Sequence, residues 1–341
     1  MVTNLDHPWG LAVLPDRSML VTERSGRLGV VREDGHLHQV DVDLGVRAAG
    51  EGGLLDVAAS PHFESDRTAW VCFNSMEGDV RVTPLTLSAD LSSASAQQPL
   101  VQGLPANSSG RHSGCRLLVG QDGMLWIGTG DAAQPNNPQD LGSLGGKVLR
   151  VDPATGKAPS DNPYAGSSDP KQQLVYTYGH RNVQGLAIQP GTGQIWSVEH
   201  GSTIDDEVNL LAVGGNYGWN PASASRSNYV EQGVPMTDTK LPNARAAVWS
   251  SGSQTIATSG GTFLSGSQWG SWQGRMVVAA LKGQQALLLQ VDAENKLVDQ
   301  QRIPELNGHG RLRTVVLAPD GSLLVTTDNG RSDSILRVTA G

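Results

Sequence analysis

Short apolar runs punctuated by Gly, Pro and Asp turns recur along the whole chain, and they come in linked sets. The run His7-Pro-Trp-Gly-Leu-Ala-Val-Leu-Pro-Asp16 turns into Ser18-Met-Leu-Val-Thr-Glu-Arg24 and, past Gly26, into Leu28-Gly-Val-Val31. The same phrase returns at 55–61 with 69–73, at 116–123 with 124–131, and at 184–190 with 194–199. It returns again at 260–264 with 275–281 and 286–291, and at 314–321 with 322–328 and 334–338. Each set reads as an apolar strand, a Pro-Asp or Asp-Gly turn and a second apolar strand. A hairpin of this kind cannot bury both of its faces alone, whereas stacking copies around an axis buries them. Copies that start roughly 45 to 75 residues apart leave room for a four-stranded blade and variable loops. The pattern predicts an all-β, six-bladed β-propeller with four-stranded antiparallel blades, a single domain over residues 1–341. Doubly wound α/β folds need amphipathic helical stretches, and none of useful length is present. The stretches 132–141, 154–171 and 222–243, rich in Pro, Asn, Ser and Asp, read as excursions from the blades, where sites are usually built.

Composition narrows the choice of partners. With 42 glycines, 18 prolines and 38% hydrophobic residues, the chain has the many turns of a short-strand protein. A formal charge of −8 leaves no broad basic face, so nucleic acid is excluded as a partner. No apolar run is long enough to span a bilayer, and the start Met1-Val-Thr-Asn4 has no basic segment followed by an apolar one. Cys72 and Cys115 lack metal-ligand spacing and read as two buried free thiols, with a disulfide between them unforced.

The densest chemistry lies near the middle, in Tyr178-Gly-His-Arg-Asn182, His200-Gly201, Asp205-Asp-Glu207 with Asn209, and Gly215-Asn-Tyr-Gly-Trp219. Glycines let a backbone approach a ligand, Arg181 offers a fork of donors, and neighbouring carboxylates suit a hard cation. His112, in the polar run Gly110-Arg-His-Ser-Gly-Cys-Arg116, is a general-base candidate that Arg111 would favour in its neutral form. Alternation puts Arg311 and Arg313 on one side of an extended segment. With Arg181 and Lys282 they form a set of cations that, gathered at one end of an acidic propeller, would bind an anion. Phosphate-binding loops, dinucleotide fingerprints and Gly-x-Ser-x-Gly elbows are missing.

These residues also carry a family resemblance. Leu5-Asp-His-Pro-Trp-Gly-Leu11, Glu51-Gly-Gly-Leu-Leu-Asp56, His112 with Gly114 and Arg116, Tyr178-Gly-His-Arg-Asn182, His200-Gly201, Asp206-Glu-Val-Asn209 and Asn216-Tyr-Gly-Trp219 resemble the soluble pyrroloquinoline quinone (PQQ) dependent sugar dehydrogenases, the glucose/sorbosone and aldose sugar dehydrogenase group. The resemblance implies PQQ and calcium at one end of the propeller. It implies oxidation of aldose sugars to lactones, with electrons passing to an external acceptor such as a dye, a quinone or a small redox protein. By the same resemblance His112 is the base and Arg181 stabilises charge on the quinone, while Asn182, Glu51, Lys282, Arg311 and Arg313 bind the cofactor. The carbonyls of Gly201 and Ser202 would ligate the catalytic calcium, and Glu207 with the Tyr217 carbonyl a structural one. Location in the periplasm or outside the cell follows from the resemblance alone. The sequence departs from the family pattern at four places: Arg111 stands where some members carry an Asp that orients the base, Glu51 replaces Gln, Cys115 replaces a glycine, and Ser202-Thr-Ile-Asp205 replaces a Pro-x-Gly-Gly loop. Cys115 is expected to crowd the cofactor face. A non-catalytic sugar- or protein-binding propeller and a calcium-dependent lactonase are the rival readings.

Overall fold

A computed structural model describes residues 2–221 and 229–340. The first strand, β1 (Val2–Leu5), precedes the repeats. The first repeat folds as β2 (Pro8–Val13), β3 (Met19–Glu23), β4 (Leu28–Val31) and β5 (Leu37–Gln39). The second comprises β6 (Leu54–Ala59), β7 (Thr68–Asn74), β8 (Val80–Leu87), β9 (Ala94–Ala96) and β10 (Val101–Leu104). The third comprises β11 (Gly114–Val119), β12 (Leu125–Thr129), β13 (Lys147–Val151) and β14 (Val175–Tyr178), and the fourth β15 (Val183–Ile188), β16 (Ile195–Glu199), β17 (Glu207–Leu210) and β18 (Trp249–Ser250). The fifth comprises β19 (Thr258–Phe263), β20 (Met276–Ala280), β21 (Gln285–Val291) and β22 (Leu297–Arg302), and the sixth β23 (Leu312–Leu317), β24 (Leu323–Thr327) and β25 (Asp333–Val338).

Each repeat forms its own antiparallel sheet, giving six among the described residues, five of four strands and one of five. The innermost strands β2, β6, β11, β15, β19 and β23 touch in cyclic order, and β23 closes back on β2. The result is a six-bladed β-propeller, as the repeats predict. The hydrophobic pattern did not predict how the ring is closed. Strand β1 supplies the outer strand of the last blade, with Val2 opposite Ile335 and Leu5 opposite Asp333. That pairing is a contact between the two ends of the chain, which no local pattern encodes.

The core lies between blades. Leu20, Leu28 and Val30 of the first blade pack on Leu54, Val57, Val71 and Leu85 of the second, and Leu55, Cys72 and Val82 of the second pack on Leu117, Ile127 and Leu149 of the third. Each such side chain contributes about 1.5–3 kcal/mol on full burial. The helices α1 (Phe63–Asp66) and α2 (Pro170–Leu174) are single turns. Among the described residues no helix is long and apolar enough to cross a membrane.

One irregularity recurs in every blade. The pairing of each innermost strand with its neighbour shifts register near the strand's start, between Pro8 and Leu11, Leu54 and Asp56, Gly114 and Arg116, Val183 and Gly185, Thr258 and Gly261, and Leu312 and Val315. A bulge leaves a residue unpaired and re-aims its side chain. Six of them at one end of the channel free that end's residues from strict alternation. At Cys115 the backbone takes φ 74°, and the side chain reaches the neighbouring blade to form a disulfide with Cys72, with Cα atoms 5.6 Å apart. The expectation of two free thiols is therefore wrong. So is the expectation that Cys115 crowds the cofactor face: both cysteines are fully buried between blades.

Arg116 reaches across to the inner strands of three other blades. Its Nε donates to the Gln184 carbonyl at 2.7 Å, and its other nitrogens donate to Asp56 Oδ1 and Thr314 Oγ1, both at 3.2 Å. The guanidinium lies 4.2 Å from the Trp9 ring centre. One side chain thus ties together blades one, two, three, four and six.

Candidate active site

His112 sits just before the bulged start of β11, with φ 50°. That conformation is held from several sides. The His112 N–H donates to Glu51 Oε2 at 3.1 Å, and Gly114 N–H to Asn182 Oδ1 at 3.0 Å. The neighbouring backbone comes so close that a Cβ at Gly130 would lie 1.8 Å from the His112 carbonyl oxygen. The imidazole is 3% exposed, and its Nδ1 is 2.8 Å from Asp131 Oδ1. Asp131 also accepts from the Trp219 indole and the Tyr229 hydroxyl, each at 2.8 Å, and from the Ala133 N–H at 2.7 Å. Burial pushes the Asp131 carboxyl up, but His112, Arg181 and these donors outweigh it and hold the pKa below the ordinary value. An ionised Asp131 fixes the proton of His112 on Nδ1 and leaves the Nε2 lone pair for chemistry.

Arg181 follows β14 and is held rigidly. Its NH1 donates to the His200 carbonyl at 3.1 Å, and its Nε and NH2 donate to Glu231 Oε2 at 3.1 and 2.6 Å. Of five guanidinium protons, two remain. Beside it, the Asn182 amide nitrogen is buried with no partner among the described residues, as are His200 Nε2 and Ser202 Oγ. Burial, together with the positive charges of Arg181 and Arg313, holds the His200 pKa well below its ordinary value. Buried polar atoms are nearly always satisfied, so three orphans close together in sequence and fold point to a polar ligand.

The bulged strand starts surround a cavity of about 140 Å³ lined by Trp9, Arg24, Glu51, Leu55, Ser113, Gly114, Gln184, His200, Leu281, Arg311 and Arg313. Arg313 donates through Nε and NH2 to Asp328 Oδ2 at 2.9 and 2.6 Å and through NH1 to Gln184 Oε1 at 3.2 Å. Arg311 Nε donates to the Asp328 carbonyl at 3.0 Å. Three guanidinium side chains against two carboxylates, Glu51 and Asp328, leave an excess of positive charge toward the cavity. Lys282 is exposed and its Nζ lies 3.5 Å from Thr255 Oγ1; in that blade it is Leu281 that reaches the cavity.

The acidic run divides by task. Asp206 is consumed by backbone, accepting from Gly201, Ile256 and Ala257 N–H, and Asp205 accepts from Ser250 Oγ. Neither is poised for a cation. Glu207 is different: it stands directly across the β16–β17 ladder from Glu199, and burial plus that second carboxylate push its pKa up to about 8. Thr237 Oγ1 donates to Glu207 Oε1 at 2.8 Å and contacts the Tyr217 carbonyl at 3.3 Å, so the two residues do come together. The Asn209 amide nitrogen donates to Glu199 Oε1 and Glu207 Oε2, each at 3.4 Å, and its Oδ1 has no partner among the described residues. Two buried carboxylates and a carbonyl are hard oxygen donors of the kind calcium takes, with the Asn209 amide bonded to both carboxylates. Gly201 carries a tight return: a Cβ there would lie 2.0 Å from the Ile204 carbonyl oxygen.

His112, Arg181, Asn182, Glu51, Arg311 and Arg313 thus converge, Gly201 and Ser202 adjoin them through His200, and Glu207 with Tyr217 forms a separate group. Sequence reasoning missed Asp131, Tyr229, Glu231, Gln184 and Arg24. Asp131 follows β12 in Gly128-Thr-Gly-Asp131, so its position past a strand end was the available signal. Arg111, 43% exposed, pairs with Glu231 at 2.6 Å, and it is Asp131 that holds the His112 ring. Of the loop 222–243, residues 222–228 lie outside the described residues.

Residues 5–337 match the glucose/sorbosone dehydrogenase family. Aldose sugar dehydrogenase YliI of Escherichia coli is 33% identical over 348 residues, covering 98% of this chain and 90% of that protein. A putative oxidoreductase (glucose dehydrogenase) from Thermus thermophilus superposes with a TM-score of 0.85 at 35% identity, covering 99% and 98% of the two chains. The PQQ-bound form of aldose sugar dehydrogenase from Streptomyces coelicolor superposes with a TM-score of 0.83 at 30% identity, covering 99% and 95%. With the whole ring matched in order, the chain belongs to the glucose/sorbosone dehydrogenase family.

Proposed function

We propose that this propeller is an aldose dehydrogenase that uses PQQ and calcium, oxidising the anomeric carbon of aldose sugars to lactones and passing electrons to an external acceptor. The observation that carries the reading is the cavity where Arg24, Arg311 and Arg313 meet, beside a histidine whose Nδ1 proton is fixed by a buried carboxylate. A tricarboxylate with polar ring atoms matches that cationic lining and the orphaned Asn182 Nδ2, His200 Nε2 and Ser202 Oγ. When bound, PQQ supplies the two-electron acceptor that no side chain provides.

The chain's own part is proton handling and electrostatics. His112 Nε2 takes the proton of the anomeric hydroxyl, and Asp131 stabilises the imidazolium that results. Arg181, immobilised by Glu231 and the His200 carbonyl, directs its two remaining N–H groups at developing negative charge. Arg24, which the sequence reading omitted, joins Arg311 and Arg313 in holding carboxylates. The carbonyls of Gly201 and Ser202 would ligate the catalytic calcium. Glu207 and the Tyr217 carbonyl, with Asn209 and Glu199, suit the structural one. The buried Cys72–Cys115 disulfide supports a periplasmic or secreted location, because such bonds persist in oxidising compartments.

The test is titration of the apoprotein with PQQ and calcium followed by absorbance, then addition of aldoses with an artificial dye acceptor. Saturable PQQ binding and dye reduction are expected. PQQ binding without dye reduction would favour a non-catalytic propeller, and turnover of lactones without acceptor a lactonase.

A further inference from the structure

Glu231 has no task in that scheme beyond holding Arg181, yet it faces the reacting atom. It lies in the long connection from β17 to β18, and its side chain is 24% exposed. Oε2 accepts two bonds from Arg181, at 3.1 and 2.6 Å, and Oε1 accepts one from Arg111 at 2.6 Å. Oε2 is also 3.9 Å from His112 Nε2. A carboxylate offers about four lone-pair sites, so these bonds leave one, on Oε1.

A substrate hydroxyl that gives its proton to Nε2 must come within about 3.2 Å of it. There it stands beside Glu231, and the hydroxyl on the next sugar carbon falls within reach of the carboxylate. Two arginines hold that carboxylate still, so accepting the hydrogen bond costs it little side-chain freedom. The negative charge would at the same time repel an acidic group at that carbon or nearby.

We propose that Glu231 is a specificity-determining residue that accepts a hydrogen bond from the hydroxyl vicinal to the one being oxidised, so that the site selects neutral sugars bearing a 2-hydroxyl. The assignment rests on the sugar-oxidising reading above. A site built to hydrogen-bond a hydroxyl discriminates strongly against analogues that lack it, because its own polar group is left unpaired. The partial exposure of Glu231 brings the expected preference down to roughly 10- to 100-fold.

The experiment compares kcat/KM for an aldose, its 2-deoxy analogue and the corresponding uronic acid, in PQQ- and calcium-loaded wild type, Glu231→Gln and Glu231→Ala. Absorbance titration of PQQ into each protein and a thermal melt provide readouts independent of turnover. The expected result is a wild-type preference for the parent aldose over the 2-deoxy sugar that collapses several-fold in Glu231→Ala. Partial recovery is expected in Glu231→Gln, which keeps an acceptor oxygen, with improved use of the uronic acid in both variants. A purely structural Arg111–Glu231–Arg181 chain would lower all three sugars in parallel with the ratio unmoved, and that result overturns the assignment. A wild type that binds PQQ and oxidises no aldose overturns this assignment and the sugar-oxidising reading together.

Discussion

The two ends of the central channel are built by the same six strands and have opposite character. At the site end every inner strand begins with a bulge, and the space between them is about 140 Å³, cationic and polar. At the far end the strands run regularly into a funnel of about 510 Å³ whose walls include Leu11, Val57, Leu117, Leu186, Phe263 and Val315. Arg116 and Asp56 separate them. Size alone would place the ligand in the funnel. Chemistry favours the smaller cavity, because Arg24, Arg311, Arg313 and the unpartnered His200 Nε2 belong to its lining, whereas Arg116 and Asp56 at the floor of the funnel are already engaged. Regular alternation yields an apolar wall; broken alternation, repeated six times, yields a ring of side chains aimed at one point.

The largest expected effect falls on the site end. His112→Ala should lower turnover of the PQQ-loaded enzyme by about 10²- to 10⁴-fold while PQQ still titrates by absorbance; near-normal turnover would remove His112 as the base. Next comes the divider. Arg116→Met strands Asp56 in the channel, and a loss of about 3–5 kcal/mol is expected in denaturant unfolding. A loss below about 1 kcal/mol would mean that the pair is not what separates the two ends.

Removing the disulfide with Cys72→Ala and Cys115→Ala tests the bulge at β11. The bond spans 43 residues, and the chain-entropy relation gives about 4 kcal/mol for such a loop, read as a lower denaturation midpoint. Reducing agent applied to the wild type should act in the same direction.

A smaller effect is expected at Asp328. Burial pushes its carboxyl up, but Arg313, His7 and Arg24 outweigh burial and hold the pKa far below the ordinary 3.8. A depressed carboxylate stabilises the fold above the unfolded-state pKa, and that contribution is lost as pH falls through the folded one. The melting-temperature gap between wild type and Asp328→Asn should therefore be full at pH 6 and narrow as pH falls below 3.8. A gap independent of pH would show that the carboxylate's charge is not what stabilises. Smallest of all, Val316→Thr in the funnel should shift stability by no more than about 0.5 kcal/mol and leave dye reduction as it is. A marked activity loss there would make the far end part of the site.

The repeats were legible because each blade's pattern is local: an apolar run, a turn and a second run, as in 116–123 with 124–131, describe a hairpin without reference to anything else. His112, Arg181 and Arg311 were legible because each stands just before the inner strand of its repeat, with Arg313 two residues on from Arg311 inside β23. Asp131 and Glu231 were not, since their importance lies in facing His112 across gaps of 19 and 119 residues, which no spacing rule connects. The acidic run misled in part for the same reason. Asp206 and Glu207 are adjacent in sequence but point to opposite sides of the chain, one into backbone N–H groups and the other toward Glu199.

Local pattern was enough to establish an all-β ring of six repeats with a histidine, an arginine and further cations near the strand entries. Hairpin periodicity and turn chemistry are short-range physics, so the residues that obey them reveal themselves one repeat at a time. Which side chains meet was settled in the folded ring: Asp131 behind His112, Glu231 before it, Arg24 beside Arg311 and Arg313, Cys115 bonded to Cys72, and β1 closing the last blade. Those outcomes depend on bulges and on contacts between blades. A shift of one residue in register changes the face a side chain occupies, and nothing in the local pattern records that choice.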